Sequence, residues 1–243
     1  MNTIAHTPTT KSTLTRRISR LLRLLQYGDS ALPIGGFSFS GGVESAVASR
    51  LLKQKEELES YLRQSLRNTA LTDGIAALHA HRGAMAENME AVIEADCRLY
   101  HTKLLAENRQ MSVRLGSRLL SLARSTLHSE LLGKFAERVA HGQAYATHAV
   151  VLAVILAESE VDEQGLWAAL MAGVENMVLG ASLRTMRITH IETQAMLHRS
   201  ASYIEELYGG ILELRLDDMQ SFAPMMEIVA ALHERGNERL FMN

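Results

Sequence analysis

The sequence predicts an all-α protein, a single helical-bundle domain of roughly nine or ten helices, and three observations carry that prediction. Apolar residues recur at helical spacing; Leu58, Tyr61, Leu62, Ser65, Leu66 and Thr69 fall at i, i+3, i+4, i+7, i+8 and i+11. No segment sustains the two-residue alternation of a half-buried strand. The 243 residues, 47% hydrophobic and 21% charged, suffice to bury roughly 70–75% of the unfolded surface in one core, and no linker or repeat divides them.

In order, the Thr-rich residues 1–13 read as a disordered tail, 14–236 as the domain and 237–243 as a docking tail. A first helix from about Leu14 to Tyr27 turns Ile18, Leu21, Leu22 and Leu25 inward and its arginines outward. The acid-free, Arg-rich start is shared with transit peptides, but that stripe is one a globular fold would use and retain. A glycine-rich loop follows, then a short helix over 43–52. A long helix begins near Glu56, continues through Ile75 and Leu78, and breaks between Gly83 and Asn88. Met89, Val92, Ile93 and Tyr100 resume the pattern, as do Met111, Leu115, Leu119 and Leu122, with Gly116 marking a close helix contact. Later helices are predicted over 130–141, 144–158, 164–183, 191–207 and 224–235. In the last, Pro224 suits a first turn and Gly236 a C-terminal cap. The β-branched run 150–156 lies in an Ala-rich stretch and reads as a buried helix.

Composition narrows the function. A net charge of −2 and a pI near 6.6 give no general attraction to nucleic acid. Cys97 is the only cysteine, so no intrachain disulfide forms and a cytoplasmic address fits. Apolar runs such as 149–157 fall short of the ~20 residues a bilayer span needs, so no membrane partner is expected. Twelve methionines against 5% aromatics fit flexible core filler, with an adaptable contact surface as the functional alternative.

The most informative stretch is 28–44, Gly-Asp-Ser-Ala-Leu-Pro-Ile-Gly-Gly-Phe-Ser-Phe-Ser-Gly-Gly-Val-Glu. It is long for a helix–helix connection, which usually takes about 2–8 residues. Gly28 can end a helix in the left-handed conformation, Pro33 fixes its own φ, and Gly35, Gly36, Gly41 and Gly42 permit backbone a Cβ would forbid. Ser40 reads as an N-cap with Glu44 in the first turn of the next helix. A phosphate-binding loop would need Lys before a helix, and none lies between Lys11 and Lys53. A Gly-x-Ser-x-Gly elbow fails because Ser40 stands where the second Gly should.

Among the ten histidines, His79 and His81 point to opposite sides of their helix, and His141 and His148 are two turns apart. Glu94, Cys97 and His101 share a helical face and form a weak candidate for a transient divalent site, against the plainer reading of a semi-buried cysteine beside a surface histidine. Asp217 and Asp218 read as solvated acids. No nucleophile and base can be tied together by spacing, so the residues argue for a protein-binding helical domain rather than an enzyme. Leu240, Phe241 and Met242 close the chain with an apolar triplet that has to dock on its own domain or on a partner.

The stretch from Asp29 to Glu44 resembles the amino-terminal signature of the UreF-type urease accessory proteins. Glu107-Asn-Arg-Gln-Met-Ser-Val-Arg-Leu-Gly-Ser-Arg-Leu-Leu120, His141-Gly-Gln-Ala-Tyr-Ala-Thr-His-Ala-Val150, and the ending His233-Glu234 with Arg239-Leu240-Phe241-Met242 are similar to further stretches of that family, in its order. Where the family commonly reads Arg-x-Val-Pro-Leu-Gly-Gln-Thr-Asp-Gly-Gln, this chain keeps Arg184, Ile188, Glu192 and Gln194 but loses the Pro and both Gly, with Arg187, Thr189 and Thr193 among the replacements. More continuous helix is expected there. The resemblance implies an all-helical, homodimeric, non-catalytic chaperone that binds the D/H-type accessory protein. With that protein it recruits the G-type GTPase to apo-urease, where GTP hydrolysis is coupled to nickel delivery, with modulation of that hydrolysis as a further implied role. It implies no tightly bound cofactor, with nickel in transit. Pro33, Gly35, Gly36, Phe37, Ser38, Ser40, Gly41 and Glu44 are then the shape-determining loop, Arg184, Glu192 and Gln194 the GTPase side, and Arg239, Leu240, Phe241 and Met242 the docking tail. A helical interaction module unrelated to nickel is the alternative.

Overall fold

The computed structural model describes residues 9–221, with side chains from residue 16 onward. All regular structure among them is helical, in ten α-helices. These are α1 (Thr9–Gly28), α2 (Val43–Ala48), α3 (Lys55–Thr69), α4 (Ile75–Met85), α5 (Met89–Thr102), α6 (Ala106–Thr126), α7 (Glu130–Ala140), α8 (His148–Glu158), α9 (Glu163–Thr185) and α10 (His190–Ile211). The expected helix over 224–235 and the tail residues Arg239 to Met242 lie outside the described residues.

Two helices organise the rest. In α8 every residue from Ala149 to Ala157 is buried, as a helix apolar on all sides must be, and α4 and α6 pack along it. In α9 the apolar residues are spread around the helix, and it takes α1, α2, α3 and α10 on its flanks. Among the described helices α9 alone is long and apolar enough to cross a bilayer, yet about half of its most apolar stretch is buried inside the domain. Glu175 and other polar residues interrupt its apolar run, which is why it does not stand out in the sequence as a span.

The α3 stripe predicted from spacing is buried, with Leu58, Tyr61, Leu62, Ser65 and Leu66 all in the core. Between α3 and α4 the chain takes a π-helical turn, Ala70–Gly74, which nothing in the spacing signals. There Gly74 lets the α9 indole approach, since a Cβ would lie 2.8 Å from Trp167.

Three expectations are corrected. Helix α1 begins at Thr9 rather than near the expected Leu14, since extending a formed helix fixes one residue per added hydrogen bond. Its stripe does not face inward: Ile18, Leu21, Leu22 and Leu25 are exposed. Instead Leu24 and Tyr27 face the core, Arg20 pairs with Glu160, and Gly28 lies so close to α9 that a Cβ would stand 3.1 Å from Ala169 Cβ. Those three contacts set the rotation of the helix.

The third correction concerns 144–147, predicted as the start of a helix and found as irregular backbone wrapped round a carboxylate. Asp96, fully buried on α5, accepts from Tyr145 N (2.6 Å), Ala146 N (2.9 Å), Thr147 N (2.7 Å) and Thr147 Oγ1 (2.5 Å). Ala146 takes a φ of 57° to aim these donors. The close contact expected at Gly116 is with this segment, since a Cβ there would lie 1.9 Å from Ala146 O and 2.8 Å from His148 N.

Candidate partner-binding face

The loop 28–44 starts with an Asx turn, in which Asp29 Oδ1 accepts from Ala31 N at 2.9 Å. Pro33 is exposed and Ile34 is buried beneath it. Gly35, at a φ of 87°, reverses the chain into a 3-10 turn, Gly36–Ser38, which sends the two rings opposite ways. Phe37 is 67% exposed, whereas Phe39 is 4% exposed and packs in the core. Gly41 (φ 60°) and Gly42 (φ 84°) then deliver the chain into α2.

Side chains from three helices hold this shape. Arg118 on α6 donates through Nη1 to Ile34 O at 3.0 Å, and a Cβ on Gly35 would stand 2.5 Å from the same atom. Tyr61 on α3 donates to Gly41 O at 2.6 Å, and its burial pushes its phenol pKa up. Arg184 on α9 donates to Phe37 O at 3.4 Å. Of these, sequence reasoning singles out Arg184 alone. Arg118 and Tyr61 carry no local signal, because their targets lie 84 and 20 residues away.

Several loop roles differ from expectation. Gly28 has no left-handed φ and serves close packing, while a Cβ added at Gly36 would meet no atom within 4 Å, so that position needs neither the freedom nor the size of glycine. The N-cap of α2 is Gly42 rather than Ser40, which is buried and gives its carbonyl to Val43 N at 3.3 Å. Glu44 does occupy the first turn of α2, and Ser38 sits half-buried at the end of the 3-10 turn.

Behind the loop lies a cleft of 640 Å³, whose walls include Phe39, Met177, Arg184, Asp73, Lys103 and His148. The π-helical turn brings Asp73 into this wall, where its Oδ2 accepts from Lys103 Nζ at 2.6 Å and Thr72 Oγ1 at 3.1 Å. With both side chains under a fifth exposed, this pair is held in place rather than solvated. Burial lowers the pKa of His148, with Asp73 opposing, so the imidazole faces the cleft as a neutral donor and acceptor.

Beside the loop, α9 and α10 are separated by an extended turn at Met186 rather than merged into the more continuous helix expected from the lost Pro and Gly residues. A capping box explains the break. Thr189 Oγ1 accepts from Glu192 N at 3.2 Å, and Glu192 accepts from Thr189 N at 3.0 Å. These backbone and hydroxyl bonds, with Lys55 3.7 Å away, hold the Glu192 carboxyl below the usual range. Glu192 thus ends up as a cap; Gln194, Leu183 and Ile191 are exposed on the same corner.

Glu94, Cys97 and His101 do not assemble a metal site, and no group of three His, Cys, Asp or Glu side chains suited to a metal exists among the described residues. Burial, and then the neighbouring Asp96, raise the pKa of the Cys97 thiol, the opposite of what a thiolate ligand needs. Its Sγ contacts Gln143 O at 3.5 Å, and His101 Nε2 shares a 3.2 Å hydrogen bond with the Tyr145 hydroxyl. His79 and His81 are fasteners, meeting Leu214 O and Val161 O at 3.0 and 2.8 Å. Asp217 pairs with Arg98 at 2.6 Å and Asp218 caps Arg215 N at 2.8 Å.

The model of the UreF family matches residues 52–201, from just before α3 to the middle of α10. Urease accessory protein UreF 2 of Brucella canis is 40% identical over 228 residues, 94% of either chain. The chain belongs to the UreF family. Urease accessory protein UreF 1 of Brucella melitensis is likewise 40% identical, over 94% of this chain and 95% of its own, and urease accessory protein UreF of Yersinia enterocolitica is 32% identical over 93% and 99%. The likeness expected from the loop is thus established over most of the chain, and the all-α fold agrees with it. As a UreF-family chain it is an accessory protein of urease, a role that fits an adaptor. The loop itself lies before the matched residues, so its pinning by Tyr61, Arg118 and Arg184 comes from helices that the family model does cover.

Proposed function

We propose that this chain is a cytoplasmic, non-catalytic nickel-insertion chaperone that works as a homodimer. It binds the D/H-type accessory protein and recruits the G-type GTPase to apo-urease, with nickel as cargo in transit. The observation that supports this most is the loop 28–44. Its backbone is fixed from three helices while Phe37 stands out of it, the arrangement of a preordered contact surface with an aromatic anchor. Fixing the loop in advance reduces the ordering entropy lost on association. Pro33, Gly35, Phe37, Ser38 and Gly41 give this face its shape, and the adjacent corner with Arg184 and Gln194 extends it toward the GTPase. The carboxyl-terminal residues Arg239, Leu240, Phe241 and Met242 dock on the D/H-type partner.

The test is complementation. The chain is expressed in nickel-supplied cells whose urease operon lacks its own F-type gene, and urease activity is recorded alongside complex formation. Restored activity with the intact chain, and loss on deleting 238–243, is the expected outcome. A soluble, folded chain that neither activates urease nor joins accessory proteins from the same source would favour a helical interaction module unrelated to nickel.

A further inference from the structure

The cleft behind the loop carries more polar groups than the fold uses. Asp73 Oδ2 accepts from Lys103 Nζ and Thr72 Oγ1, which leaves Asp73 Oδ1 and two of the three Lys103 N–H groups with no protein partner among the described residues. Asn68, Asn108 and His148 line the same cleft, each half-buried, and their side chains make no hydrogen bond among those residues. The π-helical turn Ala70–Gly74 is what carries Thr72 and Asp73 into this wall, and single π turns of this kind recur at functional sites. The volume of 640 Å³ lies within the range of small-molecule sites, roughly 300–1,000 Å³.

The charges narrow the ligand. Among the described residues the cleft is lined by two acids, Asp29 and Asp73, and two bases, Lys103 and Arg184, with His148 held neutral by burial. A phosphate would need a surplus of cationic donors and a divalent cation a surplus of carboxylates, so a ligand without net charge fits best. Contact between Asp73 and Lys103, 2.6 Å apart with both side chains under a fifth exposed, adds a second condition. A carboxylate set on the spare Lys103 donors and an ammonium set on Asp73 Oδ1 would make four charges alternate in sign, an arrangement strengthened where water is scarce. Both charges must then stand close together on the ligand. An α-amino acid carries them on one carbon, whereas the ends of a dipeptide are a full peptide unit apart. Phe39, Met111, Leu115 and Met177 line the remainder of the cleft and offer an apolar side chain its surface.

We propose that the cleft binds a free α-amino acid with a large apolar side chain, its carboxylate on Lys103, its ammonium on Asp73 and its side chain against Phe39 and Met177. Asn68, Asn108 and His148 supply further donors and acceptors around the two charged groups. The site stands independently of the urease reading. Because Phe39 belongs to the loop 28–44, an occupied cleft also braces that loop from behind.

The test is calorimetry and thermal midpoint on the purified full chain, with L-methionine, L-leucine and L-phenylalanine as probes. Leucinamide lacks the carboxylate, 4-methylpentanoate lacks the ammonium and glycine lacks the side chain. Saturable one-to-one binding of at least one of the three amino acids is expected, with a rise in midpoint, and each of the three controls should bind at least about tenfold more weakly. Asp73→Asn and Lys103→Gln should each weaken binding by a similar factor. Since either change leaves a half-buried charge unpaired and can lower stability, Gly173→Leu provides a second variant. Gly173 lines the cleft from α9, and a Cβ there meets no atom within 4 Å, so the larger side chain fills the space while favouring the helix. Binding should be lost in Gly173→Leu at an undiminished midpoint. No saturable binding of the three amino acids up to about 10 mM overturns the proposal. So does equal affinity for 4-methylpentanoate or leucinamide, which would mark a merely apolar cleft, and so does unchanged binding in Gly173→Leu, which would place the ligand elsewhere.

Discussion

Two irregular segments of this helical protein, 28–44 and 144–147, solve the same problem in opposite ways. Both break helical hydrogen bonding inside a packed domain and both use left-handed residues, Gly35, Gly41 and Gly42 in one and Ala146 in the other. At 144–147 the freed N–H groups converge on one buried carboxylate, Asp96, and the residues there pack inward. In 28–44 the supports donate to loop carbonyls from α3, α6 and α9, and the product of the arrangement is a ring left in solvent. Convergence on an interior group builds the fold, whereas support from behind with an apolar residue in front builds a surface.

The largest effect should come from removing the interior anchor. Asp96→Ala strands three backbone donors and the Thr147 hydroxyl, and is expected to cost on the order of 3–5 kcal/mol, read as a fall in denaturation midpoint. Gly116→Ala should be comparably damaging, because its Cβ meets backbone that cannot move without breaking the same nest. If either variant lost less than about 1 kcal/mol, the interior role assigned to Asp96 would be wrong.

A smaller contrast lies within the loop. Gly35→Ala forces a left-handed φ on a residue with a Cβ and pushes Arg118 from its bond to Ile34, a cost of roughly 1–2 kcal/mol; Gly36→Ala, with open space and an ordinary φ, should stay within about 0.5 kcal/mol. Equal effects at the two glycines would remove the distinction drawn between them. Phe37→Ala should leave stability unchanged and weaken complex formation, the signature of a contact residue.

Glu175 on α9 gives a pH-dependent check that touches neither segment. Burial raises its carboxyl pKa, with the Ser200 hydroxyl bond opposing. The folded protein therefore holds this proton where the unfolded chain has lost it, so stability falls as pH rises from the unfolded pKa through the folded one and stays lower above. Glu175→Gln is expected to flatten that slope and to be the more stable protein at neutral pH, seen in urea midpoints collected from pH 4 to 8. A slope unchanged by the substitution would contradict it.

The sequence reveals what depends on neighbours along the chain and hides what depends on distance. Spacing alone places the buried face of α3, the Ala-rich apolar run marks α8 as a buried helix, and the glycines and Pro33 mark the loop. The nest at 144–147 reads as helix because its organiser, Asp96, lies about 50 residues earlier, and no local pattern announces such an acceptor. Arg118 is invisible for the same reason. The Thr189-x-x-Glu192 capping box is legible as a motif and marks an α9–α10 break that the loss of Pro and Gly, read alone, would erase. For α1 the helix is readable but its rotation is not, since that depends on Gly28 meeting Ala169 and on Arg20 meeting Glu160.

The proposed role of the loop face is to assemble the urease-activating complex. The most direct measurement is urease activity in cells lacking their own F-type gene, complemented by wild type, Gly36→Ala or Phe37→Ala at matched protein levels. Full activity is expected for the first two and less than about a tenth for Phe37→Ala, corresponding to loss of a hot-spot anchor. Full activity from Phe37→Ala, with the accessory complex intact, would contradict it.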